Sequence, residues 1–179
     1  MLKKEAKEIT GGLSSPSKMP GPSFNLPAVA CITGAKLVKV PGSTCSGCYA
    51  LKGRYRFPNV QAALQRRLIK LHDPLWVDAM VTLIGKDSVM RWHDSGDIQS
   101  EQHLKNIFEV CNRTPETSHW LPTREARFLK LLDPEVVPKN LKIVLSDHMN
   151  DQKTPPSWWP YTSGVTTDHE AVTCPASKQ

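Results

Sequence analysis

Three cysteines, Cys31, Cys45 and Cys48, follow the pattern C-x13-C-x2-C, and a fourth, Cys174, stands just before Pro175. Two residues between thiols in a glycine-containing turn, CSGC, let both sulfurs address one metal centre while backbone amides point at those sulfurs. Cys31 lies in an apolar stretch, AVACITGAKLVKV, that reads as one or two strands around Gly34. A strand-turn-strand arrangement would bring its thiol to the same centre. The chemistry open to this set is a [4Fe-4S] cluster on Cys31, Cys45, Cys48 and Cys174, a zinc site, or a redox dithiol. Structural zinc usually takes two short-spaced pairs, whereas this chain has one pair and two isolated thiols. A thioredoxin-like dithiol opens a helix after a strand, but CSGCYALKGRYRFP offers only a short turn before proline. Basic neighbours (Lys52, Arg54, Arg56) suit a net-negative, thiolate-bound cluster. Cys111 shares an apolar helical face with Leu104, Ile107 and Phe108 and reads as core.

Outside the cysteines, RWHDSGD is the densest polar cluster. His93, Asp94 and Asp97 have the residue types for acid–base work or cation binding. The competing reading is a polar turn in which Asp97 or Ser100 caps the next helix. Arg91, two residues before His93, would point the same way along a strand. Thr123, Arg124 and Glu125 suit an anion or a substrate carboxylate, or else form a cap with a first-turn acid. His93, Asp94, Asp97 and Arg124 are the catalytic candidates, with Ser146, Asp147 and His148 behind them. Arg54, Arg56, Arg66, Arg67 and Lys70 form a basic stretch with Tyr55 and Phe57 interleaved. Such a stretch either contacts nucleic acid or is a solvated face; with zinc on the cysteines it would make a nucleic-acid-binding module. Trp158 and Trp159, set among prolines, would cover an open end of the fold.

These residues need a scaffold of a size that 179 residues allow: one domain, with 39% hydrophobic and 22% charged residues excluding a disordered chain. No apolar run reaches the roughly 18 residues of a spanning helix, and no secretory leader pattern opens the sequence. An odd number of cysteines, five, fits a reducing compartment. The net charge of +6 permits a polyanionic partner. Residues 1–27 carry Pro16, Pro20, Pro22 and Pro27 and read as an extended arm before a single α/β domain at 28–179. Within that domain a unit of strand, polar cluster and helix recurs three times: SVMRW with HDSGD, HWLP with TRE, and LKIVLS with DHMND. A weaker strand follows near YTSGV. The expected fold is a partial (β/α) barrel-like parallel sheet with helices outside, its polar clusters gathered at the strand ends. A full eight-unit barrel needs roughly 250 residues.

The segments KMPGPSFNLPAVACITG, CSGCYALKGRYRFPNV, MRWHDSGDIQS, HWLPTRE and TCPASKQ resemble the gene-product-88 domain family of bacteriophages over nearly the whole chain. The resemblance implies a phage protein with an iron–sulfur type cysteine set, acting in the cytoplasm of the infected host with a redox, phage or host partner. A more distant likeness is to radical S-adenosylmethionine enzymes, which join a three-cysteine cluster loop after the first strand to a partial parallel barrel. Their spacing is usually C-x3-C-x2-C; here the first gap is 13, and Tyr49 follows the last cysteine instead of preceding it. Ser95, Gly96 and Asp97 stand where such enzymes often carry Gly-Gly-Glu. That likeness implies three ligands, Cys174 spare, and S-adenosylmethionine as a second cofactor.

Overall fold

Five parallel strands follow one another in space in the same order as in the sequence: β1 (Ser23–Phe24), β2 (Val89–Trp92), β3 (Ser118–Thr123), β4 (Leu141–Ser146) and β5 (Thr162–Ser163). The structure, a computed structural model, describes residues 1–17, 19–152 and 156–167, so Cys174 lies outside the described residues. Among the described residues β1 and β5 remain edges. The sheet is therefore an open arc, the partial-barrel arrangement expected from the repeated units.

The strands alternate. Met90, Trp92, His119, Leu121, Leu141, Ile143 and Leu145 are buried, while Arg91, Trp120 and Lys142 between them are not. Period-two burial means that one face of the sheet is packed. The packing comes from α4 (Trp76–Ile84) and α5 (Glu101–Arg113), which set Trp76, Met80, Leu104, Ile107 and Cys111 into the same core. Ser100 caps α5 by accepting the His103 backbone N–H, as its sequence predicts. α3 (Pro58–Lys70) opens with its proline in the first turn, where a missing N–H costs nothing. Asp73 and Pro74 form a turn ahead of α4, which begins at Trp76.

Two expectations need correction. Residues 1–27 are not an extended arm. α1 (Lys3–Thr10) buries Ala6 against Ala79 and Leu83 of α4, ends on Gly11 in the left-handed conformation, and leads through a loop into β1. Phe24 of β1 is fully buried, its ring 5.4 Å from that of Trp76 and 6.2 Å from that of Trp92. The prolines flank these short elements rather than interrupt them. The apolar segment around Gly34 is not a strand either. It forms a 3-10 turn at Ala28–Ala30 and α2 (Ile32–Leu37), because β2 already has β1 and β3 as ladder partners and Ala, Leu and Lys favour a helix once its first turn is capped.

Phe24→Ala removes a fully buried ring and is expected to cost about 3–5 kcal/mol, read as a shift in urea midpoint at constant slope. A loss within about 0.5 kcal/mol, the range of surface changes, would mean that residues 1–27 detach from the sheet.

Candidate functional site

Parallel strands deliver all their C-terminal loops to one edge of a sheet. At that edge a cavity of about 280 Å³ opens, and Cys31, Cys45 and Cys48 line it together with His93, Asp94, Asp97 and Arg124. These three cysteines and the four catalytic candidates thus share one space. Gly34 matters to its shape: a Cβ there would stand 2.9 Å from the Cys31 Cβ, 3.6 Å from the Cys31 Sγ and 3.7 Å from the Cys45 Sγ. A side chain at position 34 would therefore crowd Cys31 and touch both sulfurs.

The polar clusters at the strand ends fasten the cysteine segment to the sheet. After β3, the fully buried Glu125 carboxylate accepts the Thr33 backbone N–H at 2.7 Å and the Thr33 hydroxyl at 2.9 Å. This satisfies an orphan donor in the first turn of α2, directly after Cys31. After β4, the His148 carbonyl accepts the Thr44 N–H at 3.0 Å, while the Asp147 carbonyl accepts the Thr44 hydroxyl at 3.0 Å. Arg124 donates from Nε to that same hydroxyl at 2.9 Å, so Thr44 ties Cys45 to two strand ends. After β2, Asp94 accepts from the hydroxyl of Tyr55 at 2.5 Å, and Tyr49, next to Cys48, donates to the Asp94 carbonyl. Arg91 completes that group with an ion pair to Asp94 at 3.4 Å.

Asp97 is buried and accepts from the Thr123 hydroxyl at 2.6 Å, the Arg124 N–H at 2.9 Å and the Ile98 N–H at 2.8 Å. It joins the ends of β2 and β3. Thr123 also accepts the Glu125 N–H; the helix it was expected to cap, α6 (Ala126–Leu129), starts later and is short. Gly96 lets this turn cross the chain just after β1: at φ +80°, a Cβ there would stand 2.5 Å from the Leu26 Cβ and 2.9 Å from Leu26 backbone. His93 differs from its neighbours. It is buried at φ +60°, uncommon for a residue with a Cβ, and its ring lies edge-on to His103 with centroids 5.3 Å apart. Neither ring nitrogen has a hydrogen-bond partner among the described residues.

Burial pushes the Cys31 thiol up to about 12, with Asp97, Cys48, Cys45 and Glu125 adding to the rise. Burial also raises Cys45, opposed by Arg124 and by Thr44. A coordinated cation reverses this preference, because a metal-bound thiol is deprotonated outright. Asp97 is raised to about 6 by burial, against the opposing pull of its hydrogen bonds from Thr123, Arg124 and Ile98. His93 is held well below 6.5 by burial, then by His103 and Arg91, so it is a neutral imidazole.

A model of the Gene product 88 family matches residues 1–174. The chain belongs to the bacteriophage Gene product 88 family. Comparison with curated proteins and with solved structures gives no match. In this Gene product 88 chain, the sequence pointed to the cysteines and the strand-end acids but missed Thr33, Thr44, Tyr49 and Gly34; adjacency to a cysteine was the one available signal for Thr44 and Tyr49. Of the basic stretch, Arg67 is buried and donates from Nε to the Gly12 carbonyl, and Tyr55 is engaged by Asp94, so neither is free to meet a partner. Trp159 is buried with its indole N–H on the Ile143 carbonyl, while Trp158 is exposed. Among the described residues, no group of three or more His, Cys, Asp or Glu side chains could hold a single metal ion, and no helix is long and apolar enough to cross a membrane.

Asp97 gives a pH dependence whose sign is fixed. Its folded pKa is raised from 3.8 to about 6, so the folded state binds the proton more tightly. Its favourable contribution is therefore complete below 3.8 and lost as pH rises through about 6. In urea titrations of chelator-treated protein, wild type should lose about 2 kcal/mol relative to Asp97→Asn over that window. A difference that stays flat, or runs the other way, contradicts the assignment.

Proposed function

We propose that this Gene product 88 protein binds a [4Fe-4S] cluster through Cys31, Cys45 and Cys48, with Cys174 as the fourth ligand. The observation that carries the reading is the convergence of three thiols, from positions spread over 31–48, on one cavity beside a glycine where a side chain would touch two of them. An iron–sulfur cubane gives each thiolate its own iron, so its ligands stand apart. Zinc draws all its donors to one point at about 2.3 Å from sulfur. One short-spaced cysteine pair with two isolated thiols, instead of the two short-spaced pairs of structural zinc, supports the cluster over the zinc-stabilised nucleic-acid module. The basic residues of the segment and Arg124 beside Cys45 would offset the negative charge of a thiolate-bound cluster.

When bound, the cluster would supply one-electron chemistry. The chain's own part is to hold the thiols through Glu125, Thr44 and Tyr49, and to present the neutral imidazole of His93 to the cavity. Electron transfer to a redox partner, or a cluster-dependent reaction beside His93, Asp94 and Asp97, are the activities this supports. Both belong in the reducing cytoplasm of the infected host, where thiols stay free.

A second reading, a radical S-adenosylmethionine-like enzyme with three ligands, is favoured by one observation. The cysteine segment follows β1 and precedes β2, and Ser95, Gly96 and Asp97 line the same cavity directly after β2.

Anaerobic purification of the full chain, with iron and sulfide analysis, tests the leading reading. The expected result is about four irons per chain, with Cys45→Ser losing them; a colourless protein with one zinc refutes it. Cys174→Ala separates the two cluster readings. Four ligands predict a lower iron content and no response to S-adenosylmethionine. Three ligands predict an intact cluster whose electron paramagnetic resonance spectrum shifts when S-adenosylmethionine is added.

A further inference from the structure

Helices α4 and α5 cover one face of the sheet; on the other, the cysteine segment lies at the strand ends and Met19 meets Arg91 at 3.3 Å, while Trp120 and Lys142 stay exposed. On that face Arg91 of β2, Trp120 of β3 and Lys142 of β4 are register partners across neighbouring strands, so they stand side by side in one row. The Arg91 guanidinium carbon lies 4.6 Å from the Trp120 ring centroid, and the Lys142 ammonium lies 4.7 Å from the ring of Tyr161, which precedes β5. The row therefore alternates cation, aromatic, cation across three strands and ends on the aromatic residue just before β5. Trp120 is 37% and Tyr161 48% exposed. Arg91 and Trp120 also line the cavity that holds the cysteines, so the row runs into the candidate site.

The exposed charge of the cysteine segment has one sign. Residues 31–57 contain no acid and carry Lys36, Lys39, Lys52, Arg54 and Arg56, all exposed. Two exposed aromatics, Tyr49 at 57% and Phe57 at 55%, lie among them. The acid nearest the row in sequence, Asp94, is held by Arg91 and Tyr55.

We propose that the exposed part of this sheet face is a groove for single-stranded nucleic acid, with bases stacking on Trp120 and Tyr161 and phosphates meeting Lys142 and the cations of the cysteine segment. Alternating rings and cations are what such a chain requires, because every base has a π-face and every nucleotide one negative charge. An acidic protein would use the cations and leave the rings idle. The groove is formed by this chain's side chains alone and does not rest on the cluster reading. Iron analysis and oligonucleotide binding can therefore fail separately.

The test is fluorescence anisotropy of labelled oligothymidylate and oligouridylate of about 12 nucleotides, within known single-strand site sizes, on the full-length protein. Both should bind, and affinity should fall steeply with salt. Trp120→Ala should weaken binding about tenfold. Lys142→Gln, at an exposed position, should lower the slope of log affinity against log salt by roughly 0.7, the share of one phosphate. Lys105→Gln, exposed on α5 of the helix-bearing side, should change neither. Circular dichroism and melting confirm that each variant is folded. Absence of binding overturns the proposal. So does binding that polyglutamate displaces and Trp120→Ala leaves unchanged, which would assign the face to acidic proteins.

Discussion

A carboxylate with no access to water is costly to bury unless its oxygens are satisfied. Glu125 is fully buried and is satisfied by Thr33, 92 residues earlier, through a backbone N–H and a hydroxyl. The bond matters because the cysteine segment has little regular structure of its own: α2 has six residues, and 3-10 turns follow at Tyr49–Leu51 and Gly53–Arg56. A helix so short is not stable alone. Its first turn exists where Glu125 caps it, and Cys31 is placed by that cap. Thr44 and Tyr49 repeat the device for Cys45 and Cys48, each using groups at the end of a different strand. The sheet is thus a rigid scaffold, and the polar clusters at its edge hold the cysteines against it.

That arrangement changes the meaning of the strand-end acids. Asp94 is occupied by Arg91 and Tyr55, and Asp97 by Thr123 and two backbone amides. Both are positioning residues in geometry. His93, neutral and at φ +60°, has no hydrogen-bond partner on either ring nitrogen among the described residues.

What could be seen in the sequence follows from range. β2, β3, β4 and α5 were legible because alternation and the Ser100 cap are local signals. The first strand was missed because two residues, Ser23 and Phe24, carry no period, and α1 because its buried face is little more than Ala6 and Thr10. α2 was misread because Ile32, Thr33, Val38 and Val40 favour strands, while the cap that makes the segment helical lies 92 residues away. The thiols and acids of the site were legible as residue types. Their fasteners were not, since the Arg124–Thr44 and Tyr49–Asp94 bonds span 80 and 45 residues. The row of Arg91, Trp120, Lys142 and Tyr161 needs the strand register, which no single strand contains.

A multi-iron cluster on this chain's thiolates, as proposed for the cavity at the strand ends, has a direct spectroscopic signature. X-ray absorption at the iron edge of anaerobically isolated protein tests it most directly. The account predicts a sulfur shell around iron together with an iron–iron shell, both lost in the Cys31→Ser variant. Iron lacking an iron–iron shell, or metal content confined to zinc bound by sulfur, would contradict it.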